Sequence, residues 1–371
     1  FGYYDNPKDL SEVQESLICL DAETGALVWE HPFSDYISDV VYNRYGVGSP
    51  IVDAETGNVY LQGSNGRLMA FTADGNALWE HSLIEKLARL TFPNGRTGSL
   101  GLDGPVVIAH IVTANWGTTG PARDRLYAFD KLTGKEAWRA LSAKQPGYSP
   151  PRIVRHAGRD LLIVWHPESA NALDPKTGKV FWTIPWKIRS GLTIPTPQMI
   201  DEHHLFLTCF YNGSMLLKLK DDESKPDIVY RTEHASEKKT THLHGIMNTP
   251  VLHDGHLYAA CSYGQFRCME ALTGKRVWES LKPIAHKEPA RWGTVFVTPH
   301  EDRHFLFTEQ GDLVIAKLST SGYQEIDRAH VIEPNGLDLR QRDIVWSHPA
   351  YARKCAFIRN DTEVICVSLA K

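Results

Sequence analysis

Four stretches of this chain repeat one short message: DAETGALVW (residues 21–29), DKLTGKEAW (130–138), DPKTGKVFW (174–182) and EALTGKRVW (270–278). A fifth copy is looser, with Gly75 four residues ahead of Trp79. The chemistry of the turn is local. An Asp carboxylate accepts backbone N–H groups two residues on, Thr does the same more weakly, and Gly takes the positive φ that other residues avoid. The Trp that follows stands on a strand, where a large flat ring buries against a neighbouring layer. A chain that needs the same turn and ring repeatedly is built from repeated units.

Taking each Gly-x-x-x-Trp as a register mark aligns Trp29, Trp79, Trp138, Trp182 and Trp278, with Tyr230 and Ile326 filling two further slots, at spacings of 44 to 59 residues. Each unit holds four short runs rich in β-branched and aromatic residues, as at 249–253, 256–261, 266–271 and 276–280. Four strands in a period of this length is the pattern of a β-propeller blade. Helical periodicity is confined to one candidate, residues 82–90. Two strands are read at the N-terminus (16–21 and 26–31) and three at the C-terminus (343–348, 354–359 and 363–369). Twenty-nine strands in all fall three short of eight full blades. The expectation is therefore an all-β, eight-bladed propeller of four-stranded antiparallel blades, a single domain over residues 1–371. Its first blade is incomplete, its last lacks the outer strand, and the natural chain is expected to extend upstream of Phe1.

This spacing of Asp-x-x-Thr-Gly-x-x-x-Trp resembles the tryptophan-docking motif of PQQ-like β-propellers, over nearly the whole chain. That superfamily includes the pyrroloquinoline-quinone alcohol dehydrogenases and the outer-membrane assembly lipoprotein BamB. The resemblance specifies fold more than function, because one superfold hosts many activities. It implies an exported, periplasmic protein.

Composition excludes some partners. At 42% hydrophobic and 23% charged the 371-residue chain is globular, and a net charge of −4 without Lys/Arg runs gives nucleic acid no purchase. No apolar run approaches the roughly 18–20 residues that cross a bilayer. Six cysteines occur, at positions 19, 209, 261, 268, 355 and 366, with no CxxC pattern. Cys261 with Cys268, and Cys355 with Cys366, each flank a hairpin turn, which leaves a bridge or a buried thiol as alternatives for both pairs.

In a propeller, the loops entering inner strands and the turns between second and third strands open on one face. On this reading Trp116, Trp165, Trp186, Trp292 and Trp346 all gather there. Arg44, Tyr45, Arg96, Tyr148, His242, His244, Arg291 and His348 come from the first class of loop, and His166, Tyr211, Asn212, Tyr263 and Glu309 from the second. Aromatic planes with Arg, His and Asn suit a flat or polyhydroxylated ligand or a peptide segment. His242 and His244 with His348 or Glu309 form a weaker metal alternative, set aside because nothing in their spacing requires an ion.

The quinone dehydrogenases hold their cofactor between a Trp and a ring of adjacent cysteines, with calcium on Glu and Asn and an Asp base. Here no two cysteines are adjacent. No cofactor is expected, PQQ with calcium being the alternative, for which Arg96, Arg291 and Trp292 offer cations and a ring. The expected function is a non-catalytic binding or scaffold module for a protein, carbohydrate or small molecule. The alternative is a PQQ-dependent alcohol or sugar dehydrogenase, or another enzyme of the channel mouth.

Overall fold

The computed structural model describes residues 2–4, 13–33, 48–63, 67–82, 99–113, 123–143, 147–232, 237–284, 286–337 and 342–370. The helix expected over 82–90 lies outside them, save for Ser82, which ends a strand.

Each repeated turn closes as its residues dictate. Asp21 Oδ1 accepts the N–H groups of Glu23 (3.1 Å) and Thr24 (2.8 Å), and Gly25 stands at φ +71° while its N–H reaches Asp21 O at 2.9 Å. Asp130 and Asp174 repeat the arrangement. A further copy without a Trp, Asp53 to Gly57, turns between an inner and a second strand. Asp53 is buried 2.8 Å from Lys131 Nζ in the next sheet, and that ammonium holds its carboxyl below the usual range.

Two compact units result. The first, Phe1–Thr196 with Lys220–Pro226, contains a three-stranded sheet (Gly2–Tyr4, Val13–Leu20, Leu27–Phe33) and three four-stranded antiparallel sheets. The last of those runs Arg152–His156, Arg159–His166, Ser169–Leu173 and Val180–Pro185. The second unit, Pro197–Leu219 with Asp227–Lys371, has three more four-stranded sheets, a two-stranded ribbon (Gly336–Leu337, Asp343–Ile344) and a three-stranded sheet (Ala350–Ala352, Cys355–Arg359, Val364–Ser368). In each unit the apolar core is the filling between successive sheets, as where Tyr60, Leu68 and Ala70 of one sheet meet Val107, Tyr127 and Phe129 of the next.

The architecture is that of a β-propeller with four-stranded antiparallel blades, but the expectation of eight blades fails. Six blades are complete, and the terminal strands do not supply two more: among the described residues there are seven blades, not eight. The count erred at both ends. Residues 343–348, read as the inner strand of a last blade, contribute only Asp343–Ile344 to the small ribbon, and the C-terminal sheet starts instead at Ala350. At the N-terminus Gly2–Tyr4 adds a strand where only two were expected.

Every outer strand of a described blade that contains the Gly-to-Trp unit carries a β-bulge one residue before the aromatic position. Cys19 pairs with Trp29 and Leu20 with Leu27, skipping Val28; Cys268 pairs with Trp278 and Met269 with Arg276, skipping Val277. The bulge bends the strand and turns the ring toward the neighbouring sheet. The indole N–H of Trp29 donates to Ala73 O (3.1 Å), that of Trp79 to Lys131 O (2.9 Å), that of Trp138 to Pro175 O (3.1 Å) and that of Trp278 to Ser319 O (2.8 Å). The Tyr230 hydroxyl makes the equivalent bond to Ala271 O at 3.1 Å. The seventh slot is misplaced by one residue in the sequence reading: Ile326 is itself the bulged residue, 46% exposed, and Asp327 occupies the ring position.

All six cysteines are free thiols. Neither hairpin pair is directly opposed: Cys268 faces Tyr258, Cys355 faces Ser368 and Cys366 faces Phe357.

Candidate functional site

The loops entering inner strands and the turns between second and third strands meet in the second unit. The Trp292 N–H donates to Ser262 O (2.8 Å), the Ala290 N–H to Tyr263 O (3.0 Å) and the Val345 N–H to Glu309 O (2.7 Å). The first two of these bonds strap the segment 290–293 onto the turn 261–265, where Trp292 stands at φ +66°. A bulky residue in the left-handed region is strained, and such strain persists only where the surroundings impose it.

Arg291, next to it, is clamped between rings. Its Cζ lies 4.7 Å from the Trp292 ring centroid and 5.4 Å from that of Phe210. Nη2 donates to Tyr211 Oη (3.1 Å) and Glu237 Oε2 (3.0 Å). Nε sits 2.9 Å from Glu237 Oε1 without hydrogen-bond alignment, so that contact is ionic. The Tyr263 hydroxyl donates to the same Oε1 at 2.6 Å. A guanidinium and a phenol thus converge on one carboxylate, beside two aromatic faces.

A second cluster adjoins the first through Arg342, whose Nη2 donates to Arg291 O at 3.0 Å. At its centre Glu309 is fully buried. Oε1 receives Arg342 Nη1 and lies 2.8 Å from His286 Nε2; Oε2 receives Trp346 Nε1 (2.8 Å) and the Thr294 N–H (3.3 Å). A buried charge is tolerated when it is paired and its lone pairs are filled, and four donors fill these. Glu309 therefore acts as a latch between the turn it sits on and the segment 342–346.

The other sequence candidates are placed elsewhere. His244 is buried, with Nδ1 2.9 Å from Phe210 O, and so braces the backbone of the residue whose ring flanks Arg291. The His242 ring lies 2.9 Å (Nδ1) from Thr241 Oγ1 and packs beside Gly274, while its carbonyl accepts from Arg267. His348 packs on Phe296 with ring centroids 3.8 Å apart, and burial pushes its pKa down. Among the described residues His242, His244, His348 and Glu309 do not assemble as metal ligands. In the first unit Trp165 is wholly buried and stacked on Trp186 (5.5 Å, 12°), and His166 closes its own hairpin through the Glu168 N–H at 3.2 Å. These three are interior residues. Arg44, Arg96 and Trp116 lie outside the described residues.

Glu237, His286, Arg342, Phe210 and Arg267 escaped the sequence reading. Only Arg267 left a trace. It interrupts the apolar run FRCM, and the structure buries it with bonds to Thr240 Oγ1 and O (both 3.0 Å) and to Glu279 (2.8 Å). The remainder sit on loops where spacing carries no signal.

The profile of the family described as "Outer membrane protein assembly factor BamB" matches residues 10–110, 96–280 and 166–371. The crystal structure of BamB from Moraxella catarrhalis superposes with a TM-score of 0.58 at 16% identity, covering 92% of this chain and 85% of that one. The computationally designed Ika8 protein gives 0.53 at 9% identity over 89% of this chain and 86% of its own. A dehydrogenase subunit of the quinone alcohol dehydrogenase of Komagataeibacter europaeus is 32% identical over 123 residues, which span 31% of this chain and only 16% of that relative. Among the described residues no helix is long and apolar enough to cross a membrane.

Proposed function

The chain belongs to the family of the outer membrane protein assembly factor BamB, and from that membership we propose that it is an exported, periplasmic, single-domain propeller that acts as a non-catalytic assembly module. It captures a protein partner on the face that carries Arg291 and Trp292. The observation behind this reading is the cluster itself: a guanidinium within 4.7 Å of the Trp292 ring and 5.4 Å of the Phe210 ring, with Trp292 held at φ +66° by backbone bonds to the neighbouring turn. Arg and Trp are the side chains that most often anchor protein interfaces. The indole-to-glycine contacts between sheets are read as tryptophan docking, which keeps that face rigid.

The second reading, a quinone-dependent dehydrogenase, is favoured by the Komagataeibacter relative alone. Among the described residues, the buried carboxylate of the candidate site, Glu309, does not fit a calcium–quinone centre. Calcium takes six to eight oxygen ligands, and both oxygens of Glu309 are already engaged by N–H donors. No adjacent cysteines are present to stack on a quinone.

The test measures binding of a urea-unfolded outer-membrane β-barrel protein to the immobilised chain. The double variant Arg291→Ala, Trp292→Ala should weaken it by about tenfold or more, the scale of a central interface anchor. Unchanged capture rejects this face. In parallel, purified protein is mixed with PQQ and calcium and assayed for dye-linked alcohol oxidation; turnover would overturn the non-catalytic reading.

A further inference from the structure

We propose that the Arg291 cluster is a carboxylate-binding site whose place is held by this chain's own Glu237, and that an acidic side chain of a protein partner replaces Glu237 there. This rests on the partner-binding reading above and names what the partner must present.

The chemistry of the pocket selects its ligand. Arg291 Nη2 and the Tyr263 hydroxyl address the two oxygens of one carboxylate, at 3.0 and 2.6 Å, with Arg291 Nε 2.9 Å from the second oxygen. That two-pronged fork, guanidinium on one oxygen and phenol on the other, suits a carboxylate better than a carbonyl or a hydroxyl. Contact with the Phe210 and Trp292 rings restricts the guanidinium, so less rotamer freedom remains to be lost on binding. The segments carrying Trp292 and Tyr263 are strapped together by two backbone bonds, Trp292 N–H to Ser262 O and Ala290 N–H to Tyr263 O, so the receptor half of the site is preformed.

The present occupant is of a different kind. Glu237 lies in the connection between strands Asp227–Arg231 and Val251–His253, and its side chain keeps a quarter of its surface open to solvent. It is followed by Lys238 and Lys239, both at least partly open to solvent, and Lys238 Nζ reaches to 6.0 Å of the Tyr263 ring. With Glu237 in place, its carboxylate neutralises Arg291. When Glu237 swings out, Arg291 is left beside two aromatic planes, with Lys238 and Lys239 next along the chain. That combination attracts an acidic segment with flanking apolar residues. Glu237 thus lowers the apparent affinity by the fraction of time it occupies the fork.

The probe is an acetylated, amidated hexaglutamate peptide, with hexaglutamine as control, titrated calorimetrically at low salt into the full chain. Glu237→Gln should tighten hexaglutamate binding ~10-fold if Glu237 fills the fork about nine-tenths of the time, and Glu237→Asp, one methylene shorter, should tighten it less. Arg291→Lys keeps the charge and loses the fork, and should return affinity to the hexaglutamine level. Equal affinity of wild type and Glu237→Gln, with urea midpoints showing both folded, overturns the proposal, as does full binding by Arg291→Lys. If hexaglutamate behaves this way while capture of the unfolded barrel protein is absent, the carboxylate site stands and the assembly reading falls. If capture depends on Arg291 and Trp292 but Glu237→Gln changes nothing, the reverse holds.

Discussion

Gly178→Ala should be far more costly than Gly25→Ala, although both glycines close the same Asp-x-x-Thr-Gly turn at almost the same φ (+72° and +71°). A Cβ at Gly25 meets nothing within 4 Å, so that substitution carries only the left-handed backbone cost, about 1 kcal/mol. A Cβ at Gly178 lies 2.6 Å from Trp138 Cε3 and 2.9 Å from Cδ2, closer than carbon atoms approach. Trp138 is 8% exposed and its Nε1 donates to Pro175 O, so the ring has no room to retreat without losing that bond. Overpacking adds about 1–3 kcal/mol and the lost hydrogen bond about 1, for a total of about 3–5 kcal/mol. Urea denaturation followed by far-ultraviolet circular dichroism reads the difference. Trp138→Ala alone should cost about 3–5 kcal/mol as a buried aromatic truncation. In that background Gly178→Ala should fall back to about 1 kcal/mol, a coupling of about 2–4 kcal/mol. Equal losses for Gly25→Ala and Gly178→Ala, or additivity in the double variant, would refute the idea that rings press on glycines to join the sheets.

Three further outcomes follow from the same geometry. Glu309→Ala leaves the Arg342 charge without its carboxylate and should destabilise the second unit by about 3–5 kcal/mol, read from the urea midpoint. His304 is 1% exposed with neither ring nitrogen hydrogen-bonded, and burial together with nearby His253 pushes its pKa down to about 4. The unfolded chain then binds a proton below about 6.5 that the folded chain refuses until about 4. Its contribution is therefore intact above pH 6.5 and declines by about 3 kcal/mol as pH falls to 4, and His304→Leu should remove that slope from stability measured across the window. Tyr230→Phe should lose about 1 kcal/mol through the bond to Ala271 O, and Tyr230→Trp, whose indole N–H restores it, should not.

How much of this was legible depends on how far apart the interacting residues are. The Asp-x-x-Thr-Gly turn is settled within five residues, and the sixth unit's strands fall within two residues of the sequence reading, with Arg276–Ser280 coinciding. A bulge is a one-residue event in a pairing pattern, so Ile326 and Asp327 cannot be told apart by counting from Gly322. The ends of the chain misled for a related reason: residues 343–348 have a strand's composition, but pairing with 336–337 is a tertiary choice. In the candidate site, Tyr263, Arg291, Trp292, Glu309 and Trp346 were visible because loop class follows from strand order. Glu237, His286 and Arg342 were not, because ion pairs spanning 54, 23 and 33 residues leave no periodic mark.

The skipped residue on each outer strand also governs what these sheets do among other chains. An exposed β rim is a template on which a foreign strand can zip, N–H to C=O, for as long as the spacing stays in step. At Val28, Val229, Val277 and Ile326 the step is broken, and an apolar side chain juts from the break. An invading strand that registers with one side of the kink is out of phase on the other. The bulges thereby work against open-ended, strand-by-strand polymerisation along these rims.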